Sequence, residues 1–392
     1  MAEPRPVDLA ELRPRLVRAS EFAAAQVEAT TRRTPDYFPI YTVDGRWRHG
    51  GELWTDWCAG FHAGMMWLIA RSTGDAAWRA RAEHYSKLLE PKQHDRAVHD
   101  LGFIFLNTYR PWYDLTGDRH VRDVLITAGR TLALRFDRKG RYLRSFVAPE
   151  SLFIDIMMNV PIIFYAAREA EDRPLYDLAV EHCRTTERTL VRPDGGTAHE
   201  GIFDLETGAF LRQTTHQGLR ADSDWSRGLA WSLSGFGTVY TFTGDPANLA
   251  VAERNADHFL DRCPEGLVPP WDFDVPEGPD RIVDSSAAAI AASGLWDLAT
   301  LTRDPARARR YRDATLTILD TLCTDRYLAW SDPGWEGVLK HGVYHFAKGL
   351  GVDESVMWGD FFFLEAVVKV LGADPGPRPM PPIERGPNHA QA

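Results

Sequence analysis

The sequence predicts an all-α fold in which six helical hairpins close into an (α/α)6 barrel. Two patterns along its 392 residues carry that expectation. First, one turn signal recurs: "STGDAAW" (72–78), "LTGDRHV" (115–121), "AEDRPLY" (170–176), "FTGDPAN" (242–248) and "LTRDPAR" (301–307). Second, the segment before each turn is apolar on nearly every side, as in "GLAWSLSGFGTVYTF". The segment after it is amphipathic and charged, as in "PANLAVAERNADHFLDRC". A helix apolar all round is buried and an amphipathic one is half-exposed, so the pattern alternates inner and outer layers. An open helical solenoid stacks hairpins in the same way and is the competing architecture.

Taken in order, a first helix is expected over about 8–32, and each turn then joins a buried segment to a half-exposed one. The last helix, "VDESVMWGDFFFLEAVVKVL" (352–371), brings the number to about twelve. Three stretches, about 36–53, 193–222 and 264–283, are rich in Gly, Pro, Asp and aromatics. They read as short strands and loops decorating one end of a single domain, residues 1–375. The tail 376–392, within "PGPRPMPPIERGPNHAQA", is expected to be disordered.

Buried segments share polar or acidic starts: "VHDLGF", "PESLFID", "DSDWSRG", "VDSSAAA" and "VDESVMW". In a barrel of antiparallel hairpins all inner helices run the same way, so these starts gather at one mouth. Converging N–H groups and positive dipole ends suit a carboxylate ligand there.

Composition narrows the partners. The chain is 44% hydrophobic and 26% charged, with a net charge of −10 and no basic stripe, which argues against nucleic acid. An anionic ligand must therefore be held by local arginine, histidine or helix N-termini. No window is apolar and long enough for a membrane span, and the first twenty residues lack a signal-peptide core. Four scattered cysteines (Cys58, Cys183, Cys263, Cys323) without a CxxC pair read as reduced thiols of a cytoplasmic protein.

The candidate chemistry centres on "FIDIMMNVPIIFYAA" (153–167), where Asp155 is the one charge and Asn159 lies a helical turn on. With Ser151 as helix cap, Asp155 is free to face inward, and desolvation raises a carboxyl pKa as a general acid needs. The bland alternative is a carboxylate bonded to local amides at a helix start. Asp100, beside His99 in "AVHDLGFIFLNTY", repeats the pattern, and two inward carboxylates at one mouth suggest an acid/base pair. His94, His99 and Asp100 lack a second cluster with metal-ligand spacing, so no metal and no cofactor are expected. Thirteen tryptophans, many beside loop ends and helix starts, suit a sugar cleft, because aromatic faces stack on pyranose C–H faces.

Together "HDLGF", "IDIMMNVP", "THQG" followed by "DSDWSRGLAW", "PPWDFDVP" and "KGLGVDESVMWGDFFFLEAV" closely resemble the unsaturated glucuronyl hydrolases, family 88 of the glycoside hydrolases. The resemblance runs from about Trp54 to Leu371 and implies an (α/α)6 barrel. It implies hydrolysis of oligosaccharides whose non-reducing end is a Δ4,5-unsaturated uronic acid, by protonation at C4 and hydration at C5. Carried over motif by motif, it makes Asp155 the general acid/base and Asp100 the second carboxylate, holding ring hydroxyls. His199, Gln217 and Arg227 match pocket residues; Trp54, Trp225 and Trp231 match the aromatic walls. His99 and Asn159 belong to the same pocket through their neighbours. One departure stands out: His62, in "AGFHAGMMW", replaces an expected aromatic and is a candidate to alter the wall near the substrate. Competing readings are the related unsaturated rhamnogalacturonyl hydrolases, an ordinary inverting glycosidase, a sugar epimerase and a non-catalytic sugar-binding barrel.

Overall fold

A computed structural model describes residues 7–49, 56–372, 377, 379 and 380. The expected tail, 376–392, therefore lies almost wholly outside the described residues.

Inner and outer helices alternate as the hydropathy pattern requires. The inner layer comprises α2 (Ala59–Thr73), α4 and α5 (Leu101–Phe105, Tyr109–Thr116), α7 and α8 (Ile156–Asn159, Pro161–Glu169), α10 (Ser226–Thr243), α12 (Ser285–Leu301) and α14 (Met357–Val370). The outer layer comprises α1 (Leu9–Arg33), α3 (Ala76–Leu89), α6 (Arg119–Ala133), α9 (Arg173–Leu190), α11 (Pro246–Arg262) and α13 (Pro305–Leu322). Inner helices pack around a closed circuit: α2 on α4, α4 on α7, α7 on α10, α10 on α12, α12 on α14, and α14 back on α2. That closure makes the fold an (α/α)6 barrel and rules out an open solenoid.

The recurring turn is a helix-start device. Asp75, Asp118, Asp172, Asp245 and Asp304 are the N-caps of α3, α6, α9, α11 and α13, each accepting an N–H of the first turn. Asp8 does the same for α1. In the three TGD turns the glycine closes the inner helix in the left-handed region, at φ of 71°, 63° and 63° for Gly74, Gly117 and Gly244. The threonine before it accepts the N–H of the capping aspartate.

Two inner helices are broken rather than continuous. Thr108 Oγ1 and Asn107 Nδ2 donate back to the carbonyls of Ile104 and Phe103, where α4 gives way to α5. Pro161 has no N–H to continue α7 and instead opens α8. These breaks leave the short pieces that carry Asp100 and Asp155 at their heads.

The mouth is dressed by small antiparallel sheets: β1–β2 (Thr42–Val43, Arg46–Trp47), β3–β4 (Phe136–Asp137, Tyr142–Leu143), β5–β6–β7 (Ser151–Phe153, Glu200–Phe203, Phe210–Thr214) and β8–β9 (Gly342–His345, Leu350–Glu354). Two expectations need correction. The last helix begins at Met357, because 350–354 pairs with β8 and the VDES segment leads out of a strand. Ser151 is no helix cap either: it starts β5, and its hydroxyl donates to Glu200 Oε1. Among the described residues no helix is long and apolar enough to cross a membrane.

Candidate active site

Asp155 and His199 are brought together by strand register. In the β5–β6 pair Phe153 faces Glu200, so the next residue, Ile154, donates its N–H to the carbonyl of His199 at 3.0 Å. Asp155 then stands opposite the imidazole, with Oδ1 3.7 Å from His199 Nε2. The tautomer follows from the other ring nitrogen: Nδ1 accepts the N–H groups of His216 and Gln217, both at 3.0 Å. The ring proton is therefore on Nε2, directed at the carboxylate. Burial, with His216 and Arg227 nearby, holds His199 well below the usual histidine range, so it is neutral.

Asp155 occupies the N-cap position of α7 but makes no capping bond. Its side chain is 14% exposed, and burial raises its pKa from 3.8 to about 6 against the opposing pull of Arg227. Of the bland reading, a carboxylate bonded to local amides, only the bond to its own backbone N–H remains, and burial outweighs it. Asp100 takes the same position at the head of α4, also without a capping bond, and lies deeper. Burial, then the charge of Asp155, pushes it well above the usual carboxylate range.

Asn159 ties the two together. Its Nδ2 donates to the carbonyl of Asp155 at 3.1 Å and reaches Asp100 Oδ1 at 3.5 Å, while its Oδ1 accepts the N–H of Phe103 at 2.8 Å. His99 faces Asp100 Oδ1 through Nε2 at 3.4 Å, its Nδ1 accepting the N–H of Phe146 at 3.0 Å. One oxygen of each aspartate, Asp155 Oδ1 and Asp100 Oδ2, has no hydrogen-bond partner among the described residues, and neither has His199 Nε2. Buried polar atoms are seldom left so, and these three lie together at the mouth of the barrel.

Gln217 and Arg227 form the next layer. Arg227 is 1% exposed; its Nη2 donates to Gln217 Oε1 at 2.7 Å and to the carbonyl of Tyr344 at 2.6 Å. The rings of Trp225 and Trp358 lie 4.6 and 4.8 Å from the guanidinium carbon. Trp225 also packs on His199, with centroids 4.5 Å apart. Trp231 sits deeper, its ring between Phe103 and Phe362. Trp54 lies outside the described residues. His62 is not at the mouth: it is buried beside Tyr85, in a small cavity also lined by Gln26, Met357 and Asp360. Sequence reasoning counted Trp358 among the tryptophans near helix starts and Asp284 only within the acidic start "VDSSAAA"; it missed Tyr344 and the pairing of Asp284 with Arg227.

This geometry finds its counterpart among known proteins. A family model, Glycosyl Hydrolase Family 88, matches residues 29–263. The chain belongs to this family. Its family 88 relatives include an unsaturated glucuronyl hydrolase of Formosa agariphila, 32% identical over 80% of this chain and 79% of that protein. An unsaturated chondroitin disaccharide hydrolase of Streptococcus pyogenes serotype M1 is 31% identical, over 80% and 81%. The crystal structure of an unsaturated glucuronyl hydrolase from Bacillus sp. GL1 superposes with a TM-score of 0.84 at 30% identity, over 90% of this chain and 96% of that one. As a family 88 member the chain is a glycoside hydrolase.

Proposed function

We propose that Asp155 and Asp100 carry out the release of a Δ4,5-unsaturated uronic acid from the non-reducing end of lyase-generated oligosaccharides. Family membership and the activity in the relatives' names make the chain a hydrolase of this substrate class. The observation that supports the assignment of roles is a buried acid near neutrality, Asp155, beside a neutral histidine whose proton is aimed at it.

The protonated Asp155 gives its proton to C4 of the C4=C5 bond, and positive charge develops at C5, shared with the ring oxygen. Water adds at C5 and returns a proton to the carboxylate. The resulting hemiketal opens to a C5 ketone, leaving at C1 a hemiacetal that expels the next sugar. No glycosyl-enzyme bond forms, so the spacing of the two carboxylates does not report stereochemistry. Asp100, held through one oxygen by Asn159 and His99, offers the other to ring hydroxyls.

Burial also pushes Asp100 well above the usual carboxylate range, which favours a second reading in which Asp100 is the proton donor. A panel of unsaturated disaccharides, followed by loss of the conjugated C=C absorbance, separates the two. Under the first reading Asp155→Asn loses turnover by about 10²- to 10⁴-fold or more, and Asp100→Asn keeps the position of the basic limb of its pH–rate profile. A limb that moves in Asp100→Asn while Asp155→Asn stays active reverses the roles. The cysteines, none of them in a disulfide among the described residues, support a cytoplasmic location, which fractionation of the producing cells tests.

A further inference from the structure

Arg227 acts electrostatically on two carboxylates, Asp284 and Asp155. Its Nε faces Asp284 Oδ2 at 4.0 Å, and neither atom has a hydrogen-bond partner among the described residues. Asp284 is fully buried at the N-cap of α12. Its other oxygen accepts from Ser286 N (3.0 Å), Ser286 Oγ (2.6 Å) and Val343 N (3.2 Å); these bonds fix the carboxylate and, with Arg227, work against the burial that raises its pKa. A guanidinium stays charged at any working pH. Left alone at this depth, it would draw Asp155 toward its anion.

We propose that Asp284 is a positioning residue: it faces Arg227 from the head of α12 and offsets its charge, so that Asp155 feels less of the cation than a lone guanidinium would impose. The inference rests on Asp155 being the proton donor. Of the two carboxylates acting on Arg227, Asp284 has the larger influence and Asp155 the smaller. The other groups facing Asp155 are His199 ahead of β6, Glu200 on β6 and Asp100 at the head of α4. His216 and His345 stand behind His199, with Lys348 beyond them. Facing Asp284 are Arg227 from α10, Ser286 from α12 and the backbone of Val343 from β8. The histidines His199 and His345 are held neutral by burial, so the Arg227 charge is the main positive influence at Asp155.

The test is kcat/KM against pH on an unsaturated disaccharide. The acid must be protonated, so activity falls above its pKa. Removing the negative charge in Asp284→Asn leaves Arg227 unopposed, and the basic limb moves to lower pH by about one unit or more. An unmoved limb, with only a lower melting temperature, makes Asp284 structural and overturns the inference. Because Asp284→Asn leaves a buried cation, the double variant Arg227→Gln/Asp284→Asn decides the matter independently, since losing both charges is better tolerated than losing one. Its limb moves back up, above that of Asp284→Asn, if the shift in the single variant came from the unopposed Arg227 charge; a limb that stays with that of Asp284→Asn shows that Asp284 acts otherwise than through Arg227 and overturns the inference. Asp155→Asn measured alongside keeps the two questions apart: retained turnover there removes the proton donor, whatever Asp284 does.

Discussion

At the scale of single residues, the site places carboxylates where ionisation is costly. Asp155 has its pKa raised from 3.8 to about 6 by burial. Such a group contributes stability that is fully present below the unfolded value and lost as pH rises through the folded one. A rise of that size corresponds to about 3 kcal/mol. Asp155→Asn never incurs that loss. It should therefore be more stable than the wild type at neutral pH, the advantage growing from about pH 4 and levelling off above about pH 6. Paired urea titrations across that range check this, and an advantage independent of pH would show that Asp155 is not the buried acid described. The wild-type kcat/KM should in turn fall above about pH 6, where the acid gives up its proton. This exchange of stability for an acid near neutrality was legible in the sequence, because packing alone gives a lone charge no place in the apolar run around Asp155. Asp284 carried the same signal, but its pairing went unread, because Arg227 lies 57 positions away in the chain and no local spacing reports a contact across two helices.

At the scale of elements, α7 is the part whose placement matters most, and it is gripped from both sides. A Cβ on Gly102 of α4 would come within 2.4 Å of Asn159 Cα, and one on Gly235 of α10 within 2.7 Å of the Met157 carbonyl carbon. Backbone cannot yield that much without α7 moving. Gly102→Ala should push the heads of α4 and α7 apart, break the Asn159 bridge between the two aspartates, and cost more than tenfold in kcat/KM, given how steeply catalysis depends on sub-ångström placement. Activity at the wild-type level with an unchanged melting temperature would mean the helices can separate freely. By contrast Asp245→Ala, at an outer turn, should cost about 1 kcal/mol of stability and leave kcat/KM unaltered once the protein is folded. The outer turns were readable because a cap is a local event within four residues. The β8–β9 hairpin was not: its strands are five residues or fewer, and "VDESVMW" carries the polar start and apolar continuation that a helix also shows. Strand register, which places His199 beside Asp155, is likewise set by partners 45 residues apart.

At the scale of the whole molecule, α14 and α1 form the sixth hairpin although no turn in the described chain joins them. Asp8 caps α1 as Asp75, Asp118, Asp172, Asp245 and Asp304 cap the other outer helices. The circle therefore has six equivalent corners, five of them turned within the described residues. Connectivity can then be moved without touching the chemistry. A circular permutant with a flexible link from Leu371 to Asp8, and new ends cut at the exposed corner Gly117–Asp118, should fold to the same helix content and hydrolyse the same disaccharides. A permutant that stays unfolded would show that the order in which hairpins emerge, and not only their fit, is needed to close the circle.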